Sequence, residues 1–257
     1  MKRAVQALDG NWLFQIDRDE KGETRGWHTP GYRPAGWLTV PVPGNWDTYL
    51  PELFGYAGHG WYRRTFRLKP GWRGSRVHLR FDGANYETTV WLNGEPVGSH
   101  AGGFDPFAFD ITDRLRWEGE NTLAIRVDNW PRLNRVPNSL AGWWNYGGIY
   151  RSVKLQALPP VRIGDVSVRA EPGQGRGGAP LTVDVTVVNE SSEAAELSLA
   201  GEVTADDRTV ELAGQLVAQR IGVAAGGQAT LSLAAEIPSA RLWSPASPNL
   251  YTLTLVL

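Results

Sequence analysis

From Phe81 to Asn129 apolar and polar positions alternate with a period of two, the spacing that sends successive side chains to opposite faces of a strand. Glu87, Thr89 and Trp91 alternate with Thr88, Val90 and Leu92. Asn93-Gly94 follows at once, a pair that tolerates the positive φ of a two-residue hairpin turn. Glu95, Pro96 and Val97 leave the turn, Gly102-Gly103 predicts a second reversal, and Phe104, Phe107 and Phe109 follow as a run of rings. Leu123, Ile125 and Val127 then alternate with Ala124, Arg126 and Asp128. Tight turns and no helical period predict a half-buried antiparallel sheet.

The same pattern runs through the rest of the first half. Trp12, Phe14 and Ile16 alternate with Leu13, Gln15 and Asp17. Residues 18–36 are polar and rich in Gly and Pro and predict a loop. Strands are expected at Trp37–Val42, Trp61–Leu68, Arg76–Phe81 and Ile149–Leu155. Two long irregular loops interrupt them. Residues 43–60 hold four glycines and two prolines, and residues 129–145 form the second loop. Loops of that length in a compact domain are usually functional or docking surfaces. About eight strands with no helix predict a double-sheet jelly roll, assigned to residues 1–159.

Pro159-Pro160 reads as a linker. In residues 160–257 the alternation restarts at Val161–Ala170, with Ile163, Val166 and Val168. A flexible turn is expected at 171–180. Val183, Val185 and Val187, then Leu197, Leu199, Leu212, Leu216, Val217, Leu231 and Leu233, continue it. Short strands with regular turns predict an immunoglobulin-like sandwich. The fold class expected is therefore all-β, a jelly-roll β-sandwich followed by an immunoglobulin-like β-sandwich.

Composition narrows the chemistry. With 257 residues and no cysteine, disulfides, zinc–thiolate sites and cysteine nucleophiles are excluded. A net charge of −1 without a basic block argues against nucleic acid as a partner. No apolar run reaches membrane-spanning length, and the start, MKRAVQALDGNW, lacks a signal-peptide core, so no membrane partner and a cytoplasmic location are expected. Of twelve tryptophans, only Trp243 lies beyond residue 160, and His28, His59, His78 and His100 all precede it. The histidines share no ligand spacing with carboxylates, so no metal and no cofactor are expected. No nucleophile elbow occurs. Asp105, Asp110 and Asp113 are candidates for a carboxyl pair, but their spacing is that of a Greek-key loop and they read as solvated or turn-capping groups.

Four ordered blocks carry a resemblance: YETTVWLNG (86–94), VGSHAGGFDPFAFDIT (97–112), NTLAIRVDN (121–129) and WWNYGGIYRSV (143–153). Together they resemble the N-terminal, galactose-binding-like jelly roll of glycoside hydrolase family 2, the β-galactosidases, β-glucuronidases and β-mannosidases. LDGNWLF near the start and the LWSP and NLY elements around Trp243 and Tyr251 are similar to the family as well. The resemblance implies that the second sandwich joins the jelly roll to a catalytic barrel. It also implies that both catalytic glutamates, one acid/base and one nucleophile about 5–5.5 Å apart, lie on that barrel. On that reading the chain contains no catalytic residue and is the non-catalytic N-terminal part of a retaining β-glycosidase. The immunoglobulin-like domain reads as incomplete, because the pattern stops inside a strand at Leu257. Asn189-Glu190 reproduces the family's acid/base dipeptide but sits at the end of a Val-rich strand, and reads as a turn.

In the family the jelly roll lends loop residues to the rim of the barrel's pocket. The counterparts here are Arg132, Asn134, Arg135, Trp144, Asn145 and Tyr146, with Trp130, Trp143 and, from the other loop, His59. Aromatic rings stack on the apolar faces of sugars, and Asn and Arg supply directional donors. The alternative for the aromatic residues is packing of the loop onto its own sandwich or the barrel. No acidic residue lies between Trp130 and Tyr150, where the family's glucuronidases use one. No asparagine stands in Tyr56-Ala57-Gly58-His59, where its galactosidases offer one. The partners implied are the barrel, a carbohydrate at the rim and a possible second copy of the chain. A free-standing carbohydrate-binding module is the competing reading, and would show coplanar exposed rings.

Overall fold

The computed structural model describes residues 3–136, 138, 144–171, 178–206, 208–214, 216 and 219–257. It comprises two compact units, Met1–Pro159 and Pro160–Leu257. Trp143, Val217 and most of the turn expected at 171–180 lie outside the described residues.

Among the described residues the first unit holds ten strands: β1 (Ala4–Ala7), β2 (Gly10–Asp17), β3 (Leu38–Val42), β4 (His59–Phe66), β5 (Arg76–Phe81), β6 (Glu87–Leu92), β7 (Glu95–Ala101), β8 (Phe107–Asp110), β9 (Asn121–Asp128) and β10 (Val153–Leu158). They form a four-stranded sheet in the order β1-β10-β5-β8 and a six-stranded sheet in the order β3-β2-β4-β9-β6-β7. This is the jelly-roll sandwich, antiparallel throughout. Alternation decides what lies between the sheets. Val77, Leu79 and Phe81 face Val153 and Leu155 on one side, and Trp12, Phe14, Tyr62, Leu123 and Ile125 pack from the other. Burial of each large side chain contributes about 1.5–3 kcal/mol. Asn93 and Gly94 have φ of 54° and 89°, as the hairpin between β6 and β7 requires.

Several boundaries differ from expectation. β1 was not foreseen, because its four residues, AVQA, are too few to show a period. The last strand starts at Val153 rather than Ile149. The Ile149 carbonyl accepts from Gly44 N–H at 2.9 Å instead of joining a ladder. Residues 43–60 contain two short 3₁₀ turns, Trp46–Thr48 and Pro51–Leu53.

The sheet is not half-buried at its centre. Behind β4, β6 and β9, on the side away from the main core, Trp27, Trp61, Trp91 and Ala124 form a second apolar cluster, edged by Tyr32 and Trp37. Trp61 and Trp91 stack at 5.0 Å, and Trp27 meets Trp61 edge-on at 5.9 Å. The segment 18–36, expected to be a plain loop, supplies Trp27 and covers this cluster. Asp17 fixes the start of that cover. Its carboxylate accepts from Lys21 N–H, Gly22 N–H and Trp61 Nε1–H.

In the second unit β11 (Val161–Ala170), β12 (Ala179–Asn189), β13 (Ala195–Ala205), β14 (Arg208–Thr209), β15 (Ala213–Gly214), β16 (Gln219–Val223), β17 (Gln228–Ile237), β18 (Trp243–Ser244), β19 (Ser247–Pro248) and β20 (Thr252–Val256) follow in order. Sheets β11-β12-β17-β15 and β14-β13-β16, with β20 on β13, form the immunoglobulin-like sandwich. Its core gathers Val183, Val185, Val187, Leu199, Ile221 and Leu233. β11 lies at a sheet edge, and its Val166 and Val168 are exposed. Asn189 is buried. Its Nδ2 donates to the Glu193 and Val223 carbonyls and its Oδ1 accepts from Ser191, while Glu190 pairs with Arg162. The dipeptide closes a strand, as its context suggests.

Two outcomes are expected. Trp61→Ala should cost about 3–5 kcal/mol in urea denaturation, whereas Trp130→Ala, at an exposed ring, should stay within about 0.5 kcal/mol. The second concerns Asp82, which joins β5 to β10 by accepting from Arg80 Nε at 2.9 Å and Lys154 Nζ at 2.6 Å. Burial alone would raise its pKa, but Lys154 and Arg80 outweigh burial and hold it below the usual carboxylate value. The stabilisation is therefore complete above the unfolded pKa and lost as pH falls through the folded one. Asp82→Asn should lower stability by about 0.5–1 kcal/mol at pH 7. The gap to the parent should close in denaturation curves taken at progressively lower pH, below ~3.9.

Candidate functional site

His59 of β4 pairs with Asp128 of β9, so the loop that feeds β4 and the loop that leaves β9 start side by side. Trp46 fixes the first loop. Its indole is fully buried, and its Nε1–H donates to the Tyr56 carbonyl at 3.1 Å. The ring lies where two glycines leave room. A Cβ at Gly147 would sit 1.9 Å from Trp46 Cζ2, and one at Gly60 would sit 2.6 Å from Cζ3.

Four polar side chains then tie the loops together. Asp47 Oδ1 accepts from Gly55 N–H at 2.9 Å and Trp144 Nε1–H at 3.4 Å, and Oδ2 accepts from Gly147 N–H at 3.3 Å. Asn129 Oδ1 accepts from Gly58 N–H, while its Nδ2 donates to the carbonyls of Tyr56 and Asn145. Asn145 Nδ2 donates to the Asn129 carbonyl at 2.6 Å, and its Oδ1 accepts from Asn85 Nδ2 at 2.7 Å. Asn85 Nδ2 also donates to the Tyr146 carbonyl. Among the described residues Asn85 Oδ1 is buried without a hydrogen-bond partner, but the other bonds of the network specify one arrangement of the backbone.

The network presents an aromatic ledge. Phe54 and Trp144 lie 4.9 Å apart at 30°, and Trp144 and Tyr146 lie 6.1 Å apart at 40°. Each of the three rings is about half exposed or more. Beside Phe54 an open cleft of about 490 Å³ is lined by Tyr56, Trp130, Arg18, Glu20 and Glu52 among others. Burial raises the Tyr56 pKa to about 12, with Arg18 pulling the other way. The phenol is therefore a neutral donor, and it bonds the His59 carbonyl at 3.2 Å.

The expected site residues divide into four groups. Trp144, Asn145 and Tyr146 come together with the first loop, Trp144 and Tyr146 on the ledge and Asn145 in the network beneath. Arg132 and Asn134 are exposed on the outer run of the second loop. Arg135 turns inward. It is 5% exposed, and its Nη2 lies 2.9 Å from Asp128 Oδ2 and 2.7 Å from Glu87 Oε2. Its guanidinium also covers the Tyr86 ring at 5.1 Å. Two carboxylates from neighbouring strands hold it, so its hydrogen bonds anchor the loop. His59 is half-buried, and its Nδ1 has no partner. Asp110 accepts from Arg76, from the Thr112 amide and from the Thr112 hydroxyl, the turn-capping role expected of it.

Asp47, Asn85, Asn129 and Phe54 were not foreseen. Asp47 and Phe54 sit in the Gly- and Pro-rich stretch, where no period marks them. Asn85 and Asn129 flank strands and look like ordinary strand-end residues. A signal for the pair existed in hindsight only as Asn at both ends of the most regular stretch of the sequence.

Similarity to known proteins is extensive. Residues 5–159 match the model of the glycosyl hydrolases family 2 sugar binding domain, and residues 161–257 match a second model described as glycosyl hydrolases family 2. A β-galactosidase of Priestia megaterium is 32% identical over 98% of this chain, which spans 26% of that protein. A β-glucuronidase of Paenibacillus borealis is 31% identical over 98% of this chain, which spans 42% of it. A crystal structure of a Bacteroides uniformis β-glucuronidase superposes with a TM-score of 0.83 at 28% identity, covering 99% of this chain and 30% of that one. The chain thus spans well under half the length of these relatives. Both of its sandwiches are matched, and the chain belongs to glycosyl hydrolase family 2.

Proposed function

We propose that the chain is the non-catalytic N-terminal part of a retaining family 2 β-glycosidase. In this role it supports the catalytic barrel and shapes the rim of the substrate pocket. The observation that carries the reading is the ledge of Phe54, Trp144 and Tyr146, mounted on a network of buried Asp and Asn side chains rather than on a free loop. A sugar offers apolar C–H faces to such rings, and the energy of that contact is available only if the rings are already in place. Arg132 and Asn134 are exposed donors on the same loop as Trp144 and Tyr146. Trp130 lines the adjoining cleft, and His59 is the remaining rim candidate.

The buried carboxylates nearby are already engaged. Asp17, Asp47 and Asp128 each accept from backbone amides. That occupation suits anchoring rather than the paired acid and nucleophile of glycoside hydrolysis. The rings tilt by 30° and 40° rather than sharing a plane, which favours a curved rim over the flat platform of a free-standing binding module. In the second unit Leu242, Trp243 and Leu250 are exposed around the β18–β19 hairpin, and we assign them to contact with the rest of the enzyme. No helix of the described residues is long and apolar enough to cross a membrane.

The purified 257-residue chain should release no chromophore above buffer from aryl β-galactoside, β-glucuronide or β-mannoside. Turnover would overturn the reading. In the enzyme that carries this chain, Trp144→Ala should remove about 1 kcal/mol of ring contact, raising KM roughly fivefold with kcat little changed. An unchanged KM would assign Trp144 to packing alone.

A further inference from the structure

A second cleft, of about 520 Å³, opens over the start of β2 and the end of β4. The strands contribute Asn11, Arg63, Arg64 and Thr65, and the segment 30–34 contributes Tyr32 and Arg33. It shares no residue with the loops 43–60 and 129–146, and its interpretation does not rest on the rim.

The cleft holds an unbalanced charge. Arg63 is 6% exposed, and its guanidinium donates to the carbonyls of Trp27 and Thr29 and lies 5.7 Å from the Tyr32 ring. Arg64 is half-buried. It donates to the carbonyls of Asp9 at 3.2 Å and Asn11 at 3.4 Å, and lies 5.6 Å from the Trp12 ring. Their partners are carbonyl oxygens and rings; among the described residues neither guanidinium forms an ion pair. Burial lowers both pKa values, with Tyr32 opposing it at Arg63 and Asp9 at Arg64. Other buried guanidinium groups here behave differently: Arg135 meets two carboxylates. Arg33 adds a third guanidinium, against one carboxylate, Glu120, on the lining.

Arg63 is desolvated and meets no carboxylate among the described residues, which is costly, and an anion entering the site relieves that cost; at Arg64 the Asp9 carboxylate supplies part of the counter-charge. The rest of the lining limits which anion. Tyr32 offers a ring face, and Asn11 and Thr65 offer amide and hydroxyl partners suited to a polyol. The volume falls within the roughly 300–1,000 Å³ of small-molecule sites.

We propose that this cleft binds a saccharide bearing a carboxylate. The acid group is held by Arg64 and Arg33, the sugar ring lies against Tyr32, and Arg63 supplies positive potential from beneath. Guanidinium groups match carboxylate geometry better than ammonium groups do.

The test is a ligand-observed NMR titration of the 257-residue chain at low salt with sodium glucuronate, glucose and sodium phosphate. Glucuronate should bind at least ~10-fold more tightly than glucose, as a charge-assisted contact requires. Phosphate should bind more weakly than glucuronate. Arg33→Glu, at an exposed position, should weaken glucuronate roughly tenfold with an unchanged thermal midpoint, and Arg64→Met should do the same. If Arg64→Met fails to fold, Arg33→Glu decides. Equal binding of glucose and glucuronate, or an unaltered titration with folded Arg33→Glu, overturns the site. Phosphate binding as tightly as glucuronate overturns the saccharide assignment.

Discussion

The indole of Trp46 sets the geometry on which the rest of the first unit's surface depends. It is a large apolar body buried between two irregular segments, and it admits no side chain at Gly60 or Gly147. Gly60 is the second residue of β4 and Gly147 follows the ledge, so a single ring dictates how the sheet meets both loops. The polar network of Asp47, Asn129, Asn85 and Asn145 works within that constraint. Hydrogen bonds of this kind add little net stability each, about 0.5–1.5 kcal/mol, but each is expensive to leave unmade. The apolar wedge brings the loops into contact, and the amides select one arrangement of them.

A similar division of labour governs the charged residues. Arg135, Arg80 and Lys154 each meet carboxylates and hold neighbouring strands or loops together. Arg63 and Arg64 differ: their guanidinium groups donate to carbonyls and lie over rings, and among the described residues neither forms an ion pair. Family 2 membership accounts for the two sandwiches, but it does not require that asymmetry. The asymmetry is a property of these side chains in this packing.

How much of this could be read in advance depends on what a period of two can report. It records burial on one face, so β2, β5, β6 and β9 were legible within a few residues. It cannot distinguish a strand covered on one face from a strand covered on both. Trp61 and Arg63 alternate with Tyr62 and Arg64 whichever way the outer face is treated, and the cover comes from a polar segment where Trp27 stands alone. Ile149 is apolar and lies next to a strand, so the pattern alone extends the strand to it. Its carbonyl instead serves Gly44. At the site, Trp144 and Tyr146 stand out as candidates only through the resemblance to family 2, and in sequence packing of the loop is an equally open role for them. Arg135 looked the same as Arg132 in sequence. Arg132 also reaches Asp128 Oδ2, at 3.6 Å, so what separates the two is burial and the pairing of Arg135 with Glu87, 48 residues away along the chain.

The uneven placement of tryptophan has an optical consequence. Eleven of the twelve indoles belong to the first sandwich, and the remaining one, Trp243, is 59% exposed in the folded state. Ultraviolet emission from this polypeptide therefore monitors one sandwich and is nearly blind to the other. A transition followed by that signal describes the jelly roll, and the immunoglobulin-like module could melt earlier or later without a visible step.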